Sequence, residues 1–153
     1  MIIRQYKDED FELVSELFYG TVHSVNAKDY TAEQLAAWTG SSYALRTRRK
    51  DLSAQRTLIA ETNGAVVGFG SIDRSGCLDL LFTHKDFQNQ GIATTLCNEL
   101  EKGYSTIKTF SSVTAKPFFV NRGYVIIKER ETERSGVKLK NFEMIKTRLS
   151  DKI

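Results

Sequence analysis

The spacing of apolar residues divides the chain into a first half with helical periodicity and a second half dominated by strand periodicity. Ile2 to Tyr6 predicts a short first strand, and Asp8 is suited to cap the helix that follows. From there, apolar residues recur every three or four positions, as on one buried face of a helix. That face comprises Phe11, Val14, Leu17, Phe18 and Val22.

Two further helices are predicted before residue 57. Thr31 and Gln34 have the spacing of a capping box, so a second helix should begin there, carry Leu35 and Trp38, and stop at Gly40. A poorer periodicity from Ser42 to Leu52 indicates a third, weaker helix.

From Thr57 the period changes to that of β-strands. Thr57–Glu61 and Ala65–Asp73 are joined across Asn63-Gly64, a pair typical of hairpin turns. A second turn at Ser75-Gly76 leads into a third strand, Cys77–Thr83. These three strands should form an antiparallel meander.

The remaining elements complete a mixed α/β domain. A helix should run from Gly91 to about Lys102, and the strand after it must be parallel to its partner, because a helix intervenes. The later elements are the strand Ile107–Ser111, the helix Thr114–Asn121, and a hairpin of Tyr124–Thr132 with Val137–Lys146. The order β-α-α-β-β-β-α-β-α-β-β predicts a single domain over residues 1–153, a mixed sheet with helices packed on its faces.

Composition narrows the class of protein. The formal net charge of +3 is too small to indicate nucleic-acid binding, and the basic run at residues 46–50 is interpreted as a solvated helix face. No apolar run approaches the ~20 residues that cross a membrane. Cys77 and Cys97 follow no paired pattern, and the two histidines give no metal-site pattern. We therefore expect a cytoplasmic protein with free thiols and no metal.

The clearest chemical signal lies where the strand Cys77–Thr83 gives way to the next helix. Gln88, Gly91 and Ala93 supply the spacing Q-x-x-G-x-A at that junction. A helix N-terminus carries unpaired N–H groups and partial positive charge, so it attracts phosphate, and a glycine lets the anion approach the backbone. Neither the G-x-G-x-x-G of dinucleotide folds nor the Gly-Lys-Ser/Thr of a P-loop is present.

In this region the chain resembles the GNAT family of acetyl-coenzyme A-dependent N-acetyltransferases. The family's central strand is followed by R/Q-x-x-G-x-G/A, which here reads Gln88–Ala93. Its second block, N-x-x-A-x-x-x-Y-x-x-x-G-F, is met with the right spacing by Ser112, Ala115, Phe119, Gly123 and Tyr124. The resemblance implies the GNAT fold, a mostly antiparallel sheet of six or seven strands with one parallel pair that splays apart.

The resemblance also implies acetyl-coenzyme A as co-substrate. Its pyrophosphate would sit on the backbone N–H groups from Gln88 to Thr94, and its pantetheine arm would pair with the strand at Leu81–Thr83. The implied cofactor-binding residues are Leu81, Phe82, Thr83, Gln88, Asn89, Gln90, Gly91, Ile92, Ala93, Thr94, Ser112 and Phe119. Two positions depart from the family: Ser112 replaces an asparagine, and Phe119 replaces the tyrosine that usually acts as acid.

Asp79 is the candidate catalytic residue. Strand alternation places it on one face with Leu81 and Thr83, and a lone carboxylate among leucines is costly to bury without a role. It could take the proton of the attacking amine, orient the charge of the substrate, or be a structural carboxylate bonded at a strand edge. The sequence leaves these three alternatives open.

Acceptor specificity should come from the segment of the first two helices, which in the family walls off the far side of the thioester. The polar and aromatic residues there are His23, Tyr30, Trp38 and Tyr43. Packing in the core is the alternative role for Trp38, and a structural role is the alternative for His23.

Taken together, these features predict an N-acetyltransferase that transfers an acetyl group to a primary amine of a small molecule by direct attack. One alternative acceptor is a protein N-terminus or lysine. A second alternative, kept open by Phe119, is a coenzyme A-binding module that senses or scaffolds without catalysis. The expected assembly is a monomer or a homodimer.

Overall fold

Seven strands and five α-helices make up the fold in the computed structural model, which describes residues 1–40 and 44–148. The strands are β1 (Ile2–Gln5), β2 (Arg56–Thr62), β3 (Ala65–Ile72), β4 (Cys77–Thr83), β5 (Thr106–Ser112), β6 (Val125–Arg134) and β7 (Val137–Thr147). The helices are α1 (Phe11–Ser24), α2 (Ala32–Thr39), α3 (Arg49–Ala54), α4 (Ile92–Leu100) and α5 (Lys116–Asn121). Short 3₁₀ turns cover Asp8–Asp10, Asn26–Lys28, Ala44–Arg48 and Lys85–Phe87.

The strands form one mixed sheet in the order β1-β2-β3-β4-β5-β7-β6. Every neighbouring pair is antiparallel except β4 and β5, which are parallel. The meander of β2, β3 and β4 and the single parallel pair are confirmed. The last strand, β7, lies between β5 and β6 rather than at the edge, so β6 forms that edge.

The parallel pair parts after two residues. Its register comprises only Cys77 with Lys108 and Leu78 with Thr109. The Thr109 hydroxyl donates to the Leu78 carbonyl at 2.9 Å, which satisfies the last backbone acceptor before the strands separate. Residues 79–83 of β4 then have no strand partner on the β5 side within the part of the chain that the structure describes.

A β-bulge lies at the point where the strands part. Leu78 pairs with Ile72 and Leu80 with Ser71, so Asp79 is an extra residue in β4. The bulge breaks the alternation of side chains: Leu78 packs in the core under α4, whereas Leu80 packs in the core under α1. The prediction that Asp79 shares a face with Leu81 and Thr83 is therefore wrong, because that prediction assumed an unbroken strand.

Helices pack on both faces of the sheet. On one face, α4 buries Ile92, Leu96 and Leu100, the three residues predicted for its inner side. It comes unusually near because β3 presents glycines: a Cβ at Gly68 would lie 2.7 Å from Ile92 Cγ2, and one at Gly70 would lie 2.8 Å from Leu100 Cδ1. On the other face, α1 buries all five of its predicted apolar residues.

The helix signals near the N-terminus were only partly right. The capping box is confirmed, since Gln34 N–H donates to Thr31 Oγ1 at 3.1 Å and Gln34 Oε1 accepts from Thr31 N–H at 2.9 Å. Asp8 does not cap α1, because it lies in a 3₁₀ turn and its carboxylate pairs with Arg49 at 2.8 Å.

The predicted third helix also differs from what is observed. Its described part is a 3₁₀ turn, Ala44–Arg48, followed by α3, which ends two residues later than predicted; its predicted start at Ser42 lies outside the described residues. The poor periodicity reflects this break, because Leu45 and Leu52 are both buried but belong to different turns.

A buried carboxylate ties α4 to the C-terminal hairpin. Glu101 follows α4, has a side chain only 2% exposed, and accepts hydrogen bonds from Arg122, Tyr124 and Lys146 at 2.8, 2.7 and 3.1 Å. Burial alone would raise its pKa, but these three donors outweigh burial, so the pKa of Glu101 lies below its ordinary value of 4.5.

Replacing this carboxylate should destabilise the fold. In Glu101→Gln, two partly buried cations lose their charged partner, so the free energy of unfolding should fall by about 2–4 kcal/mol in urea denaturation at neutral pH. Glu99→Gln is the matched control: it removes an exposed pair with Lys102 at the same end of α4 and should cost less than about 1 kcal/mol. Equal effects of the two variants would contradict the assignment.

The stability that the Glu101 charge provides should change with pH in a defined direction. Because the pKa of Glu101 is lower in the folded protein, the stability from its charge is present above the ordinary carboxyl pKa and is lost as the pH falls through the folded-state pKa. The difference in unfolding free energy between the wild type and Glu101→Gln should therefore shrink below about pH 4.

Candidate active site at the parted strands

A cleft of about 1010 Å³ opens where β4 and β5 separate. It is lined by the end of β4, the loop and first turn of α4, the end of β5, the start of α5 and the segment joining α1 to α2. The cleft thus reaches both faces of the sheet through the gap between the two strands. Such a passage gives two ligands access to one point from opposite sides.

The free edge of β4 supplies backbone hydrogen-bonding groups to this cleft. The His84 N–H bonds to the Val67 carbonyl at 2.8 Å, so alternate residues of β4 direct their backbone groups towards β3. The groups of Leu81 and Thr83 consequently face the gap. The Thr83 carbonyl is already bonded by the Thr21 hydroxyl at 2.9 Å and the Gln88 side chain at 2.8 Å, which leaves the Thr83 N–H and the groups of Leu81 for a ligand.

The loop before α4 has the geometry of an anion-binding turn. Asn89 and Gly91 have positive φ values of 61° and 79°, and Gly91 is the N-cap of α4 with no side-chain cap. The first intrahelical bond is from Thr95 N–H to Gly91 O, so the N–H groups of the turn before it lack helical acceptors. A Cβ on Gly91 would meet no described protein atom within 4 Å, so the space beside it is open.

The structure gathers nearly all of the predicted cofactor-binding residues at this cleft. Gln90 is the exception, since it is exposed and does not line the cleft. The residues that do line it are Leu81, Phe82, Thr83, Gln88, Asn89, Gly91, Ile92, Ala93, Thr94, Ser112 and Phe119.

The two positions that depart from the family pattern are both tied into the protein. Phe119 is 3% exposed and packs edge-on against Tyr124, with ring centroids 5.0 Å apart. The Ser112 hydroxyl accepts the Ala115 N–H at 3.0 Å, immediately before α5 begins. Ser112 therefore helps to start α5 and still presents its hydroxyl at the edge of the cleft.

Asp79 lines the cleft and is held by two side chains. Its Oδ2 accepts hydrogen bonds from Arg48 and, at 3.1 Å, from Gln55. No hydrogen bond from the described residues reaches Oδ1, so that oxygen is available to a ligand. Arg48 also donates to Asp51 at 2.7 Å, which fixes the guanidinium from both sides.

Sequence reasoning missed Arg48 and Gln55. The basic run at residues 46–50 is not wholly a solvated helix face, because the Arg48 side chain turns inward to the bulge of β4. The one available signal was Asp79 itself, because a carboxylate on a buried strand requires a cation nearby.

Only some of the residues predicted for the acceptor side line the cleft. Tyr30 lines the cleft, and its hydroxyl donates to the Lys140 carbonyl and accepts the Val113 N–H, both at 2.9 Å. Trp38 also lines the cleft and packs edge-on against Tyr30. His23 does not line it: its ring bonds to Thr39 and stacks on Tyr19, which fits the structural alternative. Tyr43 lies outside the described residues.

Two other groups are excluded from the chemistry by their surroundings. Tyr124 donates to Glu101 at 2.7 Å, and burial together with this bond raises its pKa, so its hydroxyl is not an acid for the cleft. Burial also raises the pKa of the free Cys97 thiol to about 12, so it is not a nucleophile.

Two further surveys were limited to the described residues. Among them, no group of three or more His, Cys, Asp and Glu side chains is placed to hold a metal ion. No helix in the same ranges has the length and apolar character needed to cross a bilayer.

Comparison with known proteins identifies the family. Residues 26–146 match the model of the acetyltransferase (GNAT) domain, which is well over half of the chain. The chain belongs to the GNAT acetyltransferase family. The sequence-based prediction of this family and of its fold is therefore confirmed.

Individual relatives agree with this family assignment. The chain is 31% identical over 143 residues to the uncharacterized N-acetyltransferase YafP of Escherichia coli (strain K12), covering 93% of both proteins. It is also similar to the crystal structure of a GCN5-related N-acetyltransferase (Aminotransferase, Class-II) from Rhodopseudomonas palustris, with a TM-score of 0.87, 32% identity and coverage of 95% and 94%.

A more distant structure shares the fold alone. The PaiA N-acetyltransferase from Thermoplasma acidophilum, solved in complex with coenzyme A, superposes with a TM-score of 0.72 at 20% identity, covering 95% of this chain and 98% of that one.

Proposed function

We propose that this GNAT protein transfers the acetyl group of acetyl-coenzyme A to the primary amine of a small molecule, by direct attack within a ternary complex. The observation that carries the proposal is the junction of two features: the unpaired edge of β4 at Leu81 and the uncapped N-terminus of α4 at Gly91. The β4 edge can pair with a peptide-like arm, and the α4 N-terminus can bind a phosphate.

The residues of the cleft fit coenzyme A group by group. The N–H groups around Gly91 would hold the pyrophosphate, because the positive end of α4 and the left-handed turn both favour an anion. The backbone of Leu81 would pair with the pantetheine arm as an added strand would. When bound, the co-substrate supplies an acetyl group activated as a thioester. Three structures that share this fold contain coenzyme A or acetyl-coenzyme A, which supports this proposal.

In this reaction the amine nitrogen forms a bond to the acetyl carbonyl carbon, the carbon–sulfur bond breaks, and the amine loses a proton. Negative charge grows on the carbonyl oxygen during attack. A backbone N–H at the free edge of β4, such as that of Leu81, would stabilise this charge without reorganising, because the sheet already fixes its direction.

Asp79 would bind the ammonium group of the acceptor through Oδ1. Arg48 and Gln55 both occupy Oδ2 and hold the carboxylate in place, so orientation of the amine by the remaining oxygen is the role that we assign to Asp79. The proton would then leave through water. The carboxylate and its arginine thus place the amine at the gap between the strands.

Phe119 stands where the family usually has a tyrosine that acts as the acid, and acetyl transfer does not require that acid. A thiol has an ordinary pKa near 8.5, so the sulfur leaves as a thiolate near neutral pH without obligatory protonation. The hydroxyl of Ser112 accepts a backbone N–H and keeps its own proton, so it is available to stabilise the departing sulfur.

The primary test is acetyl transfer itself. Purified protein with acetyl-coenzyme A and a panel of small primary amines should release thiol above the amine-free rate and yield products heavier by one acetyl group. A peptide with free N-terminus and lysine tests the protein-acceptor alternative. Background thiol release with every acceptor, together with a raised Tm in acetyl-coenzyme A, would instead establish a binding module without catalysis.

The cofactor site is tested by Gly91→Glu. The new carboxylate would occupy the open space beside the α4 N-terminus and repel the pyrophosphate, so coenzyme A affinity measured by calorimetry should fall at least about tenfold. Gly103→Glu is the matched control, because Gly103 also has a positive φ, 88°, and open space, yet follows the far end of α4. Unchanged affinity in Gly91→Glu would refute the site.

The acceptor role of Asp79 is tested by Asp79→Asn. Loss of the charge should lower kcat/KM for the amine about 10–100-fold while coenzyme A affinity stays within about twofold, because the carboxylate acts on the amine and not on the cofactor. Asp86→Asn removes an exposed carboxylate outside the cleft and should change neither quantity. Near-normal turnover of Asp79→Asn across the pH range would exclude Asp79 from the mechanism.

A further inference from the structure

The side of the cleft opposite to α4 carries an excess of positive charge. The lining residues with cationic side chains are Lys28, Arg48, Arg130, Arg134 and Lys140, whereas the one carboxylate among the described lining residues is Asp79. Lys140 is paired with Glu129. Arg48 and Asp79 neutralise each other. The positive charge that remains comes from Lys28 and from the two arginines of β6.

The register of the terminal hairpin turns both β6 arginines towards the acceptor side. Arg130 pairs with Asn141, Thr132 with Leu139, and Arg134 with Val137. Paired residues lie on the same face of a sheet, and Leu139 packs into the core beneath α1 and α2. Arg130, Thr132 and Arg134 therefore share the face on which the acceptor would enter.

Arg130 is held in place without being neutralised. Its guanidinium carbon lies 4.6 Å from the centre of the Phe110 ring, and this ring is 44% exposed. This cation–π contact holds the guanidinium beside the ring, and within the described ranges no hydrogen bond occupies its N–H groups.

Neither β6 arginine forms an ion pair within the described ranges, and the nearby glutamates have other positions or partners. Glu129 contacts Lys140 at 3.4 Å, and Glu143 contacts Lys108 at 3.6 Å. Glu131 and Glu133 alternate with the arginines and so lie on the opposite face of β6.

We propose that the acceptor is an anionic primary amine, with its ammonium group at Asp79 and its carboxylate or phosphate at Arg130, assisted by Arg134. This inference rests on the proposed function and names its substrate class. A guanidinium presents parallel N–H groups that match the oxygens of either anion. The same field disfavours an acceptor that carries only positive charge.

The spacing of the strands sets the size of the acceptor. Strands β5 and β7 separate β4 from β6, which corresponds to at least about 14 Å between backbones, because β4 and β5 part beyond Leu78. The Asp79 and Arg130 side chains span part of this distance. The amine and the anion are thus expected at the two ends of a chain several carbon atoms long.

The test compares three amines of equal length: a straight-chain ω-amino carboxylate, the ω-aminoalkyl phosphate and the uncharged ω-amino alcohol. Turnover is measured as thiol release with the wild-type protein. The KM of at least one anionic amine should lie about tenfold or more below that of the amino alcohol. The ratio between carboxylate and phosphate identifies the preferred anion. An amino alcohol that is used as well as both anionic amines would overturn the proposal.

Substitutions on β6 test which side chain causes the preference for anionic amines. Arg130→Gln should raise the KM of the preferred anionic amine about tenfold or more and leave that of the amino alcohol within about threefold. Arg134→Gln should show a smaller change of the same kind. Lys138→Gln is the control: it removes one exposed charge from the opposite face of the hairpin, outside the cleft, and should change neither KM. Equal effects of Arg130→Gln and Lys138→Gln would overturn the proposal.

A binding measurement separates this inference from the proposed function. If no amine is acetylated, the proposed function fails, and calorimetric titration of the ω-amino carboxylate and the phosphate in the presence of coenzyme A then judges the anion site alone. Binding that Arg130→Gln weakens about tenfold would support the site. Absence of binding, or binding unchanged by Arg130→Gln, would refute it.

Discussion

The short parallel contact between β4 and β5 is the constraint on which the rest of the structure depends. After Leu78 and Thr109 the two strands are held from opposite sides, β4 by β3 and β5 by β7. The bulge at Asp79 and the hydroxyl of Thr109 close the ladder without leaving the Leu78 carbonyl unpaired. An opening in the middle of a sheet is thereby stable, and the cleft and both of its approaches follow from it.

Two carboxylates, Glu101 and Asp79, have different roles because their hydrogen-bond partners differ. Glu101 is buried and surrounded by three donors, so it has no capacity left for a ligand. Asp79 is bonded on one oxygen only, and its partners Arg48 and Gln55 come from a region remote in sequence. The first fixes α4 against the hairpin, and the second leaves an oxygen directed at the gap.

Short sequence patterns correctly predicted the features that depend on interactions between residues close together in the chain. The Asn63-Gly64 turn, the capping box at Thr31 and the glycine before α4 all follow from short-range geometry, and the family motif located the cleft residues around Gly91. What the sequence did not predict depends on distant pairing: the bulge at Asp79, the inward turn of Arg48, and the place of β7 between β5 and β6. None of these features produces a periodic pattern of apolar residues in the sequence.

The free stretch of β4 is also an unprotected strand edge in the interior of a sheet, the kind of surface on which chains associate wrongly. It is only five residues long, and the bulge at its start disrupts the regular spacing that a second strand would need. Helices on both faces further restrict access to a thin, flexible molecule. The features that prepare this edge for a ligand therefore also guard it against pairing with another polypeptide.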